Sequence, residues 1–311
     1  MTSLLTNNAA MTALQTLTQT NKSLEQTQSR ISTGMRVSSA QDNAAYWSIA
    51  TTMRSDASAL STVQDALGLG SGVIDTAYST VDSSIKVVDQ IKEKLVAARQ
   101  PGVDRSKVQS EITQLQGQLK GMADAASFSG ENWLSVDSSA TGYNTTKSIV
   151  ASFTRTSGSV SLGTISISTA NTKLYDASAT GAGILDGSRD ATGAISASGT
   201  FSIASIDISS LTDSAADQTT LDGFISGVDS ALQEMTSSAA DLGAVKSRID
   251  IQKSFVKNLM DAIDRGVGQL VDADMNEEST KLQALQVQAQ LGVQALSIAN
   301  QSSQNIMSLF R

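Results

Sequence analysis

Hydrophobic residues recur along two long stretches with the period of a packed helix. Leu60, Leu67, Ile74, Val81, Val88 and Leu95 stand seven apart, with Val63, Tyr78, Ile85 and Ile91 beside them. A run of this kind predicts one long helix with a single apolar seam. Arg99-Gln100-Pro101-Gly102 ends it, because proline cannot continue a helix and constrains the residue before it. Asp104, or Ser106 with Gln109 three residues on, is placed to cap a second helix. In that helix Val108, Ile112, Leu115, Leu119, Met122 and Ala126 alternate spacings of four and three, so the Pro-Gly turn joins an antiparallel helical hairpin. Leu221, Val228, Met235, Leu242, Ile249, Val256, Ile263 and Leu270 make a second column of sevens. Ile225, Leu232, Ala239, Met260 and Val267 accompany it, and Lys246 and Lys253 on its flank predict a partly open seam.

Between the helical stretches, from about 135 to 213, the chain turns rich in Ser, Thr, Gly and Ala and the period changes to two. Ile149, Ala151 and Phe153, then Val160 and Leu162, then Ile165 and Ile167 predict strands, with Thr156-Ser157-Gly158-Ser159 as a hairpin turn. Phe201, Ile203, Ile206 and Ile208 predict a further short strand or pair, and 177–199 reads as loops and short strands at an outer surface.

The two ends carry narrower patterns. Leu14, Leu17, Leu24 and Ile31 form a thin stripe that Ala10 extends and the amides Asn21 and Gln28 interrupt. Leu282, Leu285, Ala289, Gly292, Leu296, Ala299, Ser303, Ile306 and Phe310 follow threes and fours, and Leu291, Ala295, Ile298, Ser302 and Leu309 form a second column alongside. Two adjacent columns need neighbours on more than one side of the last helix. Periodicity alone leaves open whether the surplus face docks on its own domain or on other copies. The first stretch is crowded with Thr, Asn, Ser and Gln, so both ends are expected to order only on packing. Head-to-tail contacts need not close, and they give an open helical polymer.

Composition narrows the chemistry. The 311 residues contain no Cys, no His and one Pro, with a formal net charge of −8. Thiolate chemistry, Ser-His-Asp hydrolysis and His-ligated metals are thereby excluded. An acidic chain without a basic stripe argues against nucleic-acid binding. No window approaches the ~18–20 apolar residues of a membrane span, and the first residues lack the pattern of a cleaved secretory signal. Gly68-Leu69-Gly70-Ser71-Gly72 interrupts a helix rather than following a strand, so close approach by a neighbour explains it better than phosphate binding. Asp272-Ala273-Asp274-Met275-Asn276-Glu277-Glu278 lacks the glycine and final glutamate of a calcium loop and reads as a solvated joint.

Three motifs carry a family likeness. Ser29-Arg30-Ile31-Ser32-Thr33-Gly34-Met35-Arg36-Val37-Ser38-Ser39-Ala40-Gln41-Asp42-Asn43-Ala44-Ala45 resembles the N-terminal signature of bacterial flagellins. Ser127-Phe128-Ser129-Gly130-Glu131-Asn132-Trp133-Leu134 and the ending from Ala295-Leu296-Ser297-Ile298-Ala299-Asn300-Gln301 to Leu309-Phe310-Arg311 are similar to the same family. The continuation Tyr46-Trp47-Ser48-Ile49-Ala50 looks most like the alphaproteobacterial, rhizobial type. The residues themselves fit a joint: Gly34 can release the first helix, Ser38 with Gln41 can cap the next, and Tyr46 and Trp47 are expected to pack against it.

The resemblance implies a mainly α fold in which long antiparallel coiled-coil helices from both termini carry a small β-rich central insertion. It divides the chain into an inner terminal coiled-coil domain (1–40 and 271–311), a helical bundle with a β-hairpin (41–170 and 209–270) and a small Ser/Thr/Gly-rich β outer domain (171–208). Leu14, Leu17, Leu24, Ile31, Leu285, Leu291, Leu296, Ile298, Ala299, Ile306 and Leu309 would be the self-assembly residues. Gly34, Arg36, Ser38, Asp42 and Asn43 would form the joint between inner and outer helices. The implied role is the structural subunit of an extracellular motility filament, with no catalytic, cofactor or metal site. Its partners would be itself and related flagellins, an export chaperone, the filament cap and hook-junction proteins, without nucleic acid or membrane insertion. Export would use the flagellar type III apparatus without a cleaved signal peptide.

The rivals are a hook–filament junction protein, a non-filament coiled-coil adaptor, which leaves the β-rich insertion unexplained, and a paired-carboxylate hydrolase, for which no strand end offers converging acids.

Overall fold

In a computed structural model, the structure describes residues 7–156, 159–178, 183–196 and 199–309, with side chains through 301. The chain divides into a terminal unit, Met1–Ser58 with Met260–Arg311, and a body, Ala59–Leu259. Among the described residues five α-helices carry the fold: α1 (Asn8–Thr33), α2 (Ala44–Ala98), α3 (Arg105–Ala125), α4 (Ala215–Val271) and α5 (Met275–Leu309).

In the body, the column of sevens on α2 is the centre of the core. Leu67, Ile74, Val81, Val88 and Leu95 are fully buried and Leu60 nearly so. Leu221, Val228, Met235, Leu242, Ile249 and Val256 of α4 are buried too, and those as far as Leu242 share one cluster with α2 and α3. The two long helices run antiparallel. Arg99 holds Asp222 at 2.7 Å, Lys92 holds Asp229 at 2.5 Å, and Asp75 holds Lys246 at 2.5 Å, descending one helix while ascending the other. The turn at Pro101 uses Gly102 at φ +85°, a conformation glycine adopts without strain. Asp104 then caps α3, its side chain accepting from the Lys107 N–H.

Among its described residues the body also has six strands: β1 (Ser127–Phe128), β2 (Glu131–Asn132), β3 (Ser135–Val136), β4 (Thr146–Thr156), β5 (Ser159–Ser168) and β6 (Tyr175–Asp176). The β4–β5 hairpin pairs Thr146 with Ser168 through to Thr156 with Ser159, with a bulge between Val150 and Ser152. Two residues of the expected turn, Ser157 and Gly158, lie outside the described residues. The glycines of 68–72 are where the β-rich part meets α2: a Cβ on Gly70 would lie 2.6 Å from Ile149, and one on Gly72 would lie 2.6 Å from Phe128.

Two expectations for the centre are corrected. Ile203–Ser205 is a 3-10 turn rather than a strand, because Ile203, Ile206 and Ile208 all enter the core and alternation cannot bring them there. The stretch 177–199 is not merely surface loop, since Ile184, Leu185 and Arg189 are buried. Arg189 is the pin. Its guanidinium donates to the Ile184 and Gly193 carbonyls at 2.8 and 2.7 Å and to Glu234 of α4 at 2.6 Å, which offsets the desolvation of its charge.

Candidate assembly surface

The terminal unit is built on different chemistry. Asn7 caps α1 by accepting from the Ala10 N–H at 3.0 Å, and its amide donates to the Ala299 carbonyl of α5. Gly34 ends α1 in the left-handed region, φ +70°, with its N–H on the Arg30 carbonyl at 2.8 Å. Between these ends α1 and α5 lie antiparallel. Gly292 permits the approach of Leu17, whose Cδ1 would be 3.1 Å from an added Cβ.

The stripe on α1 is more regular than its leucines indicate. Leu17, Thr20, Leu24, Thr27 and Ile31 alternate threes and fours, and the two threonines are its buried members. Asn21 and Gln28, expected to interrupt the stripe, are exposed and lie off it. On α5 the column Leu282, Leu285, Ala289, Gly292, Leu296 and Ala299 is half-buried. Extended back by four, the same spacing reaches Glu278. This carboxylate is 6% exposed and receives Arg30 at 3.0 Å. Sequence reasoning treated it as part of a solvated joint; its place at the head of the column was the available signal.

The second column is bare. Leu291 is 57% exposed and Ile298 68%, with Val287 and Val293 similar. Leu14 of α1 is 53% exposed, whereas Leu17, Leu24 and Ile31 are half-buried. The side chains of Ile306 and Leu309 lie outside those described, as do those of Ser302, Ser303 and Phe310. Among the described residues no aliphatic or aromatic side chain of α1 or α5 is buried.

The joint is a short two-stranded crossing. Met35 bridges Asp272, the Val271 carbonyl accepts from the Arg36 and Val37 N–H groups, and the Arg36 guanidinium donates to the Leu270 carbonyl. Val37, Ala50, Val267 and Val271 pack beneath it. The expected capping role of Ser38 is corrected. The α2 helix begins at Ala44, and Asn43 caps it by accepting from the Ala45 and Tyr46 N–H groups at 3.1 Å. Ser38 and Ser39 instead turn their N–H and hydroxyl groups onto one oxygen of Asp42 at 3.0–3.2 Å. These donors, the Ser39 N–H foremost, hold the Asp42 carboxyl below its ordinary value. Tyr46 and Trp47, expected to pack against the joint, are instead 41% and 39% exposed on α2.

Among the described residues no acidic group of three or more could hold a metal ion, and no helix is long and apolar enough to cross a membrane. The sequence matches known proteins over its full length. The family model for the bacterial flagellin N-terminal helical region matches residues 4–139, and that for the C-terminal helical region matches 225–310. The chain is similar to Flagellin C of Rhizobium meliloti (strain 1021), 52% identical with the whole of both chains covered. It is 48% identical to Flagellin A of the same strain and 47% to the Flagellin of Brucella melitensis biotype 1, again over the full length of both. Helices at both ends, a β-rich centre and these full-length relatives agree: the chain belongs to the bacterial flagellin family and is a structural subunit of the extracellular flagellar filament that serves motility.

Proposed function

We propose that α1 and α5 are the polymerising element of this subunit, an inner domain of 1–40 and 271–311. The observation that carries this reading is the bare second column on α5, with Leu291 and Ile298 exposed on a helix whose other column already faces α1. Burying such a side chain against neighbouring copies contributes about 1.5–3 kcal/mol each. Leu14, Leu17, Leu24, Ile31, Leu285, Leu296, Ala299, Ile306 and Leu309 complete the packing. Gly34, Arg36, Ser38, Asp42 and Asn43 set the joint to the helical bundle (41–170 and 209–270). The subunit acts by association alone, without catalysis. Membership of the family supports export by the flagellar type III apparatus, with a chaperone on the C-terminal helix and then a cap and junction proteins.

Ile298→Asp tests this. It would place an unpaired charge in the packed interior at a cost of several kcal/mol per subunit. The expected outcome is normal secretion of soluble subunit and no filaments by electron microscopy, with Leu24→Asp behaving alike. Ordinary filaments from either strain would overturn the reading.

A further inference from the structure

The body contains a groove that association through α1 and α5 does not use. It runs along α4 and has a volume of about 720 Å³, within the usual range of small-molecule sites. Ser230, Gln233, Glu234, Ser237 and Asp241 recur in threes and fours on it, so about three turns of α4 present one polar face. Asn171, which follows β5, lines it too. Ile184 and Ile195 add an apolar part, the first buried and the second 45% exposed. Arg189 fixes this stretch, since its guanidinium holds both the Ile184 carbonyl and Glu234.

Polar groups left unanswered gather here. Ser238 lines the groove, is 1% exposed, and its hydroxyl has no hydrogen-bond partner. The Thr172 hydroxyl, next in the chain to Asn171, and the Nε of Arg189 are likewise buried without partners. Native structures rarely leave such atoms unpaired, and a ligand or an ordered water commonly completes them.

The lining selects the ligand. Among the described residues no Lys or Arg lines the groove, and the carboxylates of Glu234 and Asp241 disfavour an anion. Glu234 is already answered by Arg189 at 2.6 Å, which leaves Asp241 alone for a cation. An apolar ligand would desolvate the hydroxyls and amides without replacing their hydrogen bonds. A neutral molecule with closely spaced hydroxyls fits, because each hydroxyl both donates and accepts. The carboxylates can accept from it, and the Asn171 and Gln233 amides can do both. We propose that this groove is a binding site for a neutral oligosaccharide. Ser230, Gln233, Ser237 and Asp241 hold its hydroxyls, and Ile195 packs against the C–H face of a ring.

The site is tested on the full-length subunit, kept monomeric below its critical concentration and isotope-labelled at the isoleucine methyls. Maltotriose, cellotriose and mannotriose serve as neutral probes, with spermidine as a cationic and trigalacturonate as an anionic one. At least one neutral trisaccharide is expected to shift the Ile184 and Ile195 methyl resonances saturably. Those of Ile251, exposed elsewhere on α4, and of the fully buried Ile74 should stay in place. Gln233→Ala combined with Ser237→Ala should weaken that binding about tenfold. Both positions are exposed on a helix, where alanine is favourable, so an unchanged unfolding midpoint and Ile74 resonance show that the variant is folded. No shift with any of the neutral trisaccharides would overturn the proposal, as would undiminished affinity in the double variant. Tighter binding of spermidine or trigalacturonate at these methyls would count equally against it.

Discussion

The helical body and the α1–α5 pair draw on the same small set of aliphatic residues and use them in opposite ways. In the body, every seventh residue of α2 from Leu60 to Leu95 is buried within the molecule, and α4 answers with its own column. In α1 and α5 the buried positions are Thr20, Thr27 and Glu278, while Leu291 and Ile298 stand in solvent. The body therefore holds its shape as a single copy. The terminal pair leaves Leu291 and Ile298 in solvent and is aligned by an ion pair, Arg30 with Glu278 at 3.0 Å, that tolerates few registers. The difference teaches that helix periodicity reports only that a face will be covered. Which molecule covers it depends on whether the same chain has a second column to offer.

The largest separation between the two regions is expected from leucine truncation. Leu95→Ala in the body should destabilise the monomer by about 2–5 kcal/mol, read as a lowered denaturation midpoint, because it leaves a cavity among fully buried neighbours. Leu291→Ala should change the monomer by no more than about 0.5 kcal/mol, since its side chain is already in water. It should nonetheless raise the critical concentration for polymerisation. Equal effects on the monomer would break the comparison.

Much of this was legible in the sequence because it rests on period. The sevens of α2 and α4, the stop at Pro101, the cap at Asp104 and the release at Gly34 each follow from one local rule, and all stand in the structure. Local chemistry misled where two groups could serve equally. Ser38 and Asn43 are both good caps, and the choice fell to Asn43 because Asp42 draws in the Ser38 and Ser39 donors and makes a turn before the helix. Threonine hid the regular stripe of α1, since Thr20 reads as polar although its hydroxyl is satisfied by the Thr16 carbonyl at 2.9 Å. The exposed second column on α5 was readable as a surplus. Its polar alignment was not, because pairing Arg30 with Glu278 requires the antiparallel register that only the folded pair supplies.

Smaller changes sharpen the boundary between packing and alignment. Gly70→Ala should cost the body about 1–2 kcal/mol net: the added methyl meets the branched Ile149 side chain, an overpacking penalty of about 1–3 kcal/mol that better helix propensity offsets in part. A loosened hairpin, read as faster hydrogen exchange in β4 and β5, accompanies the change. Glu278→Ala should cost about 1 kcal/mol, less than loss of a fully buried pair, because Arg30 remains 31% exposed and can be solvated. Its signature is faster exchange across α1 and α5 with the body unaffected.

The smallest effect belongs to Asp42, and its sign is fixed by geometry. Four donors from Ser38 and Ser39 favour the charged carboxylate, so its folded value lies below the ordinary 3.8 despite the opposing effect of burial. A group depressed on folding contributes its stability above its unfolded value and loses it as pH falls through the folded one. The turn before α2 should therefore be fully held at neutral pH and loosen below about pH 4, in the range where a free aspartate is protonated. The Asp42→Asn side chain stays neutral throughout and can still accept from one or two of the donors. Protection of the Ser38 and Ser39 amides, taken relative to the intrinsic exchange rate at each pH, should then be weaker than in the parent at pH 7 and no longer fall with acid. Retention of the acid dependence in this variant would place the titrating group elsewhere in the joint.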